Sequence, residues 1–224
     1  MTTMFCAAAM LSLVPLAVHA STTDDFQLWS AVQASGSISG NLVGGLELAG
    51  RLVDDANRFA VVIVRPTIGY RASHVVTIHL GYTYQATINP NRRDTQENRV
   101  FQQINWTMGK VGYGMLSSRT RFEQRFVNTG IDTGLRFRVQ LKYMLPRKAK
   151  GANFVMSTEP LIALNTTDWG QRQGIEQWRN FVGVSFPVAK KLTLETGFQH
   201  RYQIRFNQPD RSDYIVPLTL SYRF

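Results

Sequence analysis

The stretch Tyr214-Ile215-Val216-Pro217-Leu218-Thr219-Leu220-Ser221-Tyr222-Arg223-Phe224 decides the fold. Tyr214, Val216, Leu218, Leu220, Tyr222 and Phe224 occupy every second position, with Ile215, Pro217, Thr219, Ser221 and Arg223 between them. Successive side chains of a strand point to opposite faces, so a period of two gives a strand with one apolar and one mixed face.

The same period recurs upstream. Leu42, Leu46, Leu48 and Leu52 alternate with Val43, Glu47, Ala49 and Arg51. Val76, Ile78, Leu80, Tyr82 and Tyr84 alternate with Thr77, His79 and Thr83. Val100, Ile104, Trp106 and Met108 share a face that Gln102 interrupts. Leu135, Phe137, Val139, Leu141 and Tyr143 alternate with Arg136, Arg138, Gln140 and Lys142, and Leu192, Leu194, Phe198, Tyr202 and Ile204 with Glu195, Gln199, Arg201 and Arg205. These runs are about 11 to 15 residues long, against about 5 or 6 for strands of soluble sheets and about 9 to 11 for tilted membrane strands. One face of each run is almost free of charge. A soluble antiparallel sheet also alternates, with its polar face to water; strand length counts against it. The expected fold is all-β, a closed antiparallel transmembrane β-barrel of 10–12 strands.

Single-chain bacterial barrels have an even number of strands. About eleven runs can be counted by this period, so ten or twelve are expected. The segment 26–34 falls out of step: it lies in the lumen, covers a rim, or implies a missed strand. Pro66, Pro160 and Pro217 fall inside strands of a barrel with no edge, so each predicts a bulge. The breaks alternate in length, as in outer-membrane barrels. Breaks at 71–73, 110–111 and 187–190 are short and expected on the periplasmic side, together with the basic 146–152. Breaks at 89–97, 166–174 and 207–211 are longer and expected outside, with 53–57 and 128–131 on the same side by counting.

Residues 1–20 read as a secretory signal: an apolar run over 5–17, then Val18-His19-Ala20 with small residues at the cleavage site. The segment before Phe5 carries no Lys or Arg. The expected mature barrel is 21–224. Cys6 lies inside the signal, so the mature chain has no disulfide, thiolate metal site or cysteine nucleophile. No later segment reaches the roughly 18 apolar residues of a spanning helix, so membrane integration requires a barrel.

The net charge is +10, with 25 Lys and Arg against 15 Asp and Glu. The cations are spread at strand spacing rather than clustered, which points away from nucleic acid and toward an anionic lipid surface or a passage for anions. The mixed faces place Glu47, Arg51, Arg65, Arg99, Arg119, Arg121, Glu123, Arg125, Arg136, Arg138, Lys142, Glu159, Arg179, Glu195, Arg201 and Arg205 in the lumen. If 128–131 closes a hairpin, opposed lumen residues have numbers summing to about 261, within two, by the pleat rule. Glu123 then faces Arg138 or Arg136, and Arg119, Arg121 and Arg125 are in surplus. The last hairpin puts Arg205 opposite Asp213.

Two arrangements fit this interior. The side chains interlock and fill it, with a structural envelope role, or they line a small, porin-like, anion-preferring channel. Arg119, Arg121, Arg125, Arg136 and Arg138 are the expected constriction, with Arg201 and Arg205 also facing the passage. The partners are then outer-membrane lipid and lipopolysaccharide, the barrel-assembly machinery and small anionic solutes. No cofactor, metal or catalytic residue is expected. The alternative is an enzyme modifying lipid or lipopolysaccharide with rim carboxylates such as Asp54, Asp55 and Asp213, which could activate water. His79 faces inward with no serine and carboxylate beside it. Trp29, Trp106, Trp169, Trp178, Tyr70, Tyr82, Tyr84, Tyr143, Tyr202, Tyr214 and Tyr222 fall near strand ends, as aromatic girdles do.

The final strand, with Tyr222 two places before Phe224, resembles the last strand of bacterial outer-membrane barrels, where the terminal aromatic belongs to the assembly signal. Further pieces are Asp25-Phe26-Gln27-Leu28-Trp29, Arg65-Pro66 with Gly69-Tyr70, and Arg121-Phe122-Glu123-Gln124-Arg125. Glu159-Pro160 and Gln177-Trp178-Arg179-Asn180 complete the set. Together, over about residues 25–224, they resemble an uncharacterised outer-membrane barrel family of Gram-negative bacteria, classed as a domain of unknown function. The resemblance implies an outer-membrane location and a barrel, and brings no reaction with it.

Overall fold

The computed structural model describes residues 22–146 and 151–224. The expected signal segment, 1–20, and residues 147–150 of the expected 146–152 break lie outside the described residues. Eleven strands form one closed barrel. They are β1 (Thr23–Ser39), β2 (Leu42–Val53), β3 (Arg58–Arg71), β4 (Val76–Thr87), β5 (Thr95–Val111), β6 (Gly114–Val127), β7 (Gly134–Pro146), β8 (Asn153–Ala163), β9 (Gly174–Ala189), β10 (Leu192–Gln203) and β11 (Arg211–Arg223). Each pairs antiparallel with the next.

The expectation of ten or twelve strands is corrected to eleven. In an up-and-down meander the first and eleventh strands run the same way, so the barrel can close only through a parallel seam. β1 and β11 make that seam, in register from Thr23↔Arg211 to Ser35↔Arg223. The segment 26–34 is therefore wall, bonded on both edges, and neither plug nor rim cover. The even-number rule assumes an antiparallel seam; here it misleads.

The prolines also differ from expectation. Pro66 and Pro217 keep the register of both neighbours; the ladder merely lacks pairs beside them on one edge, β3–β4 and β10–β11. A missing N–H removes a rung without requiring an extra residue. Of these three, Pro160 alone lies near a register shift, between Leu161 and Ile162. The other shifts fall near strand ends, where Ile38, Ala60, Met108 and Val188 are the unpaired residues.

Two tight turns, Gly40-Asn41 and Gly112-Tyr113, use glycine at φ 52° and 58°, the left-handed conformation a two-residue hairpin demands. β5 thus continues through Lys110 and Val111 before it turns. The β2–β3 connection instead carries three non-glycine residues in left-handed geometry, Asp54, Asp55 and Ala56 (φ 57°, 56° and 59°). Each costs about 1–2 kcal/mol. The turn is held by Asp25 Oδ1, which accepts from the Asp55 N–H at 2.9 Å, and by the Ala56 N–H donating to the Phe26 carbonyl at 3.0 Å.

The three longest connections, β4–β5, β8–β9 and β10–β11, lie at one end of the barrel, and the two-residue turns β1–β2, β5–β6 and β9–β10 at the other. Residues 95–97, expected in a loop, belong to β5. The interior is polar and the exterior apolar. Among the described residues, seventeen polar or charged side chains are buried against nine apolar ones, while Val32, Leu48, Ile68, Leu80, Ile104 and Leu218 lie exposed on the wall. That is the reverse of a soluble domain. A small apolar cluster, Ala60, Val61 and Ile63 with Ala49 and Val53, lines the β2–β3 wall.

Candidate functional site

The lumen holds the charge-bearing chemistry of the chain, and β6 and β7 set its centre. Their register pairs Glu123 with Arg136 and Arg121 with Arg138, inside the expected margin. Glu123, 1 % exposed, accepts from Arg136 at 2.5 Å and Arg138 at 3.0 Å, with Arg121 3.5 Å away. Glu159 on β8 accepts from Arg138 at 2.9 Å and Arg119 at 3.0 Å. Arg125 bonds Glu97 at 2.5 Å and Glu176 at 3.3 Å, and Glu176 also takes Arg136. Arg119, Arg121 and Arg125 are therefore not in surplus, which corrects the sequence expectation.

The missed carboxylates are Glu97 and Glu176. Glu97 shares the parity of Arg99, which it bonds at 2.5 Å; strand parity could have found it had the strand been started earlier. Glu176 had no sequence signal. It is the unpaired residue of the β8–β9 bulge, skipped between Gln177 and Ile175, and the bulge turns it inward against its parity.

These bonds cross the interior. Arg119–Glu159 and Arg136–Glu176 each skip one strand, and Lys142 reaches Glu195, three strands away, at 2.7 Å. Phe101, fully buried, fills the space beside them under the Arg121 guanidinium, 4.0 Å from its centroid. The ring fits because Gly81 opposite has no Cβ; one there would lie 2.1 Å from Phe101 Cζ.

At the long-loop end the β8–β9 connection folds inward. Gln171, buried, accepts from Arg125 at 2.9 Å and donates to the Leu135 carbonyl at 3.2 Å. Trp169 packs over Gly134, where a Cβ would meet its ring at 2.4 Å, and donates from Nε1 to the Asp132 carbonyl at 2.8 Å. Asp168 accepts from the Ile131 N–H at 2.8 Å and the Asp132 N–H at 3.2 Å. The Ile131 N–H, helped by that of Asp132, holds its carboxyl below the usual aspartate range.

The β10–β11–β1 seam has its own hub. Asp213, fully buried, accepts from Arg211 at 2.6 Å, Arg201 at 2.7 Å, Gln203 at 2.7 Å and Gln27 at 3.0 Å. Asp25 takes Gln27 and Arg211 across the same seam. Arg201, not Arg205, stands opposite Asp213. Arg205 lies beyond the end of β10 and donates to the Pro209 carbonyl and Thr23 Oγ1, both at 2.7 Å. It does not face the passage, because β10 ends at Gln203.

The remaining wall is unlike the rest. Trp29 points inward, not into a girdle, with Nε1 donating to Gln27 Oε1 at 2.7 Å. The Arg51 guanidinium stacks 3.7 Å from its centroid, with Arg201 at 5.0 Å and Arg179 at 5.6 Å. They line a lumen cavity of about 450 Å³ that also reaches Gln199 and, across the barrel, Arg119, Arg121, Arg138 and Glu159. Among the described residues, twelve lumen cations (Arg51, Arg65, Arg99, Arg119, Arg121, Arg125, Arg136, Arg138, Lys142, Arg179, Arg201, Arg211) face eight carboxylates (Asp25, Glu47, Glu97, Glu123, Glu159, Glu176, Glu195, Asp213).

Asp54 is taken by Arg58 at 2.6 Å, and Asp213 is saturated with donors inside the lumen. No group of three or more His, Cys, Asp or Glu suited to a metal occurs among the described residues. His79 Nε2 meets Asn105 at 3.1 Å. His200 Nε2 lies 3.3 Å from Ser212 Oγ and stacks on Tyr214 at 5.7 Å, but the described residues give its ring no carboxylate partner.

Tyr222 and Phe224 are 43 % and 49 % exposed, and the Phe224 ring lies against Gly36, where a Cβ would meet it at 2.5 Å. Trp106, Trp178, Tyr70, Tyr82 and Tyr214 are exposed.

These features define a single-chain, closed β-barrel with an ionic interior. The chain belongs to the family described as "Protein of unknown function (DUF2490)", whose model matches residues 26–213. An uncharacterised protein of Methylorubrum extorquens is 33 % identical over 220 residues, covering 96 % of each chain. A weaker similarity, 27 % over 138 residues, covers 61 % of this chain but only 25 % of a 2-isopropylmalate synthase of Paraburkholderia phymatum. No solved structure matches.

Proposed function

We propose that this protein is an exported outer-membrane barrel whose lumen is occupied by its own arginine–carboxylate network, with an envelope role rather than bulk transport. The supporting observation is the inverted distribution of polarity, apolar outside and ionic inside. The few polar groups on the outer wall support it further. Gln102 and Gln124 pair by their amides at 3.2 and 3.5 Å. Tyr82 bonds Asn98, and Thr158 links Asn180 and Trp178, both at 2.8 Å. Exposed groups facing water need no such partners; groups facing hydrocarbon do. The same pairing explains why Gln102 sits on an apolar face.

Fractionation tests the placement. The protein should sediment with outer membranes, resist urea extraction and migrate differently on gels with and without boiling. Recovery in a soluble fraction would refute it. The narrow anion-preferring channel keeps one observation in its favour, the excess of lumen cations over carboxylates beside the cavity. Stable conductance steps would select it.

A further inference from the structure

Arg51 is the exception in the lumen. Among the described residues its guanidinium has no hydrogen-bond acceptor and no carboxylate; it only stacks on Trp29 at 3.7 Å. Its cross-strand neighbours are Trp29 and Val61. The cavity wall around it carries Arg65, Arg99, Arg179 and Arg201, with Glu47 taken by Arg65. Arg179 and Arg201 stand directly opposite each other on β9 and β10, an arrangement that is repulsive by itself. Their counter-charges are shared out. Arg179 lies 3.8 Å from Glu159, which Arg138 and Arg119 hold more closely at 2.9 and 3.0 Å. Arg201 divides Asp213 with Arg211. The Gln199 amide nitrogen, on the same cavity wall, is buried with no partner.

We propose that Arg51, Arg179 and Arg201, gathered around Trp29, form a binding site for a phosphate group carried by a small solute. Three planar forks within 5.6 Å of one ring centre suit a tetrahedral dianion. Arg201 already bonds Asp213 and Arg179 bonds Gln177; a carboxylate offers its two oxygens to one fork, whereas a phosphate has further oxygens for the donors these two keep. The anion would accept from the idle donors of Arg51 and Gln199 and offset the Arg179–Arg201 repulsion. The lumen cavity that includes this site, about 450 Å³ in all and lined also by Glu47, Glu97, Glu159 and Glu195, has room for a phosphomonoester of modest size. The source is free phosphate or a phosphomonoester; both present the same terminal oxygens.

The test uses the full chain refolded in detergent micelles, where no membrane placement is needed, so failure here leaves the outer-membrane proposal standing. Inorganic phosphate and glycerol 3-phosphate are titrated by calorimetry at constant ionic strength in potassium chloride. Saturable binding is expected. Arg51→Gln should weaken it about tenfold or more, the scale of a charge-assisted contact. Arg179→Gln should do the same, and Arg58→Gln at the rim should leave it unchanged. Tighter binding of glycerol 3-phosphate would assign a phosphomonoester, and equal or weaker binding free phosphate. No saturable heat with either probe, or wild-type affinity in a folded Arg51→Gln, would overturn the site. Because Arg51 makes no polar bond to the barrel, that variant should fold.

Discussion

On the β5–β8 side of the lumen each arginine reaches a carboxylate; on the β1–β2 side Arg51 reaches none. Both sides are built from the same alternation of apolar and charged residues. Alternation sets only the direction of a side chain. Pairing is set by the neighbouring strands. Arg119, Arg121, Arg125, Arg136 and Arg138 have Glu97, Glu123, Glu159 and Glu176 around them, whereas Arg51 has an indole and a valine across its ladders. One side is consequently self-neutralising and the other keeps an arginine without a carboxylate, and the cavity between them is lined from both.

This contrast can be broken most severely at Glu123. Glu123→Ala leaves Arg121, Arg136 and Arg138 without their shared carboxylate and should cost about 3–5 kcal/mol, because an uncompensated buried charge is far costlier than the intact pair is stabilising. A urea titration of the refolded barrel measures it. Asp213→Asn should cost less, about 2–3 kcal/mol, since the amide oxygen still accepts hydrogen bonds while the charge on Arg201 goes unmatched and Arg211 keeps Asp25 alone. Hydrogen exchange along β1 should rise in this variant, as Asp213 and Gln27 bridge the parallel seam. Gly81→Ala sharpens the claim that the packed side has no slack: the methyl must displace the Phe101 ring, at about 1–3 kcal/mol. Arg51→Gln, by contrast, should change stability by no more than about 1 kcal/mol, the scale of its stacking on Trp29.

The smallest effect concerns the loop cover. Because the Ile131 N–H, with that of Asp132, depresses the Asp168 carboxyl, its contribution is fully present above the ordinary aspartate value and is lost as pH falls through the lower folded value. The latch should be intact at neutral pH and loosen only below about pH 4. Amide exchange at Ile131 and Asp132 would show it, and Asp168→Asn should lack that acid transition.

Strand length, alternation and loop asymmetry made the barrel legible, because a wall with one apolar face imposes its period on every strand. That Glu123 faces Arg136 or Arg138 was legible too, since hairpin register follows from the turn to within two residues, and the ladder selects Arg136. Three things were not. The parallel seam depends on contact between residues 188 apart in sequence, as in Thr23↔Arg211, and no local pattern encodes it. Glu176 enters through a bulge that reverses parity. Trp29 looked like a girdle residue because position along a strand does not reveal which face it takes when the strand itself falls out of count.

The most direct measurement is conductance of the refolded protein in a planar bilayer under a salt gradient. A lumen crossed by the Glu123 and Glu159 networks and covered by Gln171 and Trp169 should give a folded, inserted and electrically silent barrel. Stable, anion-selective steps from the wild-type protein would contradict the filled lumen and make the arginines a conducting lining.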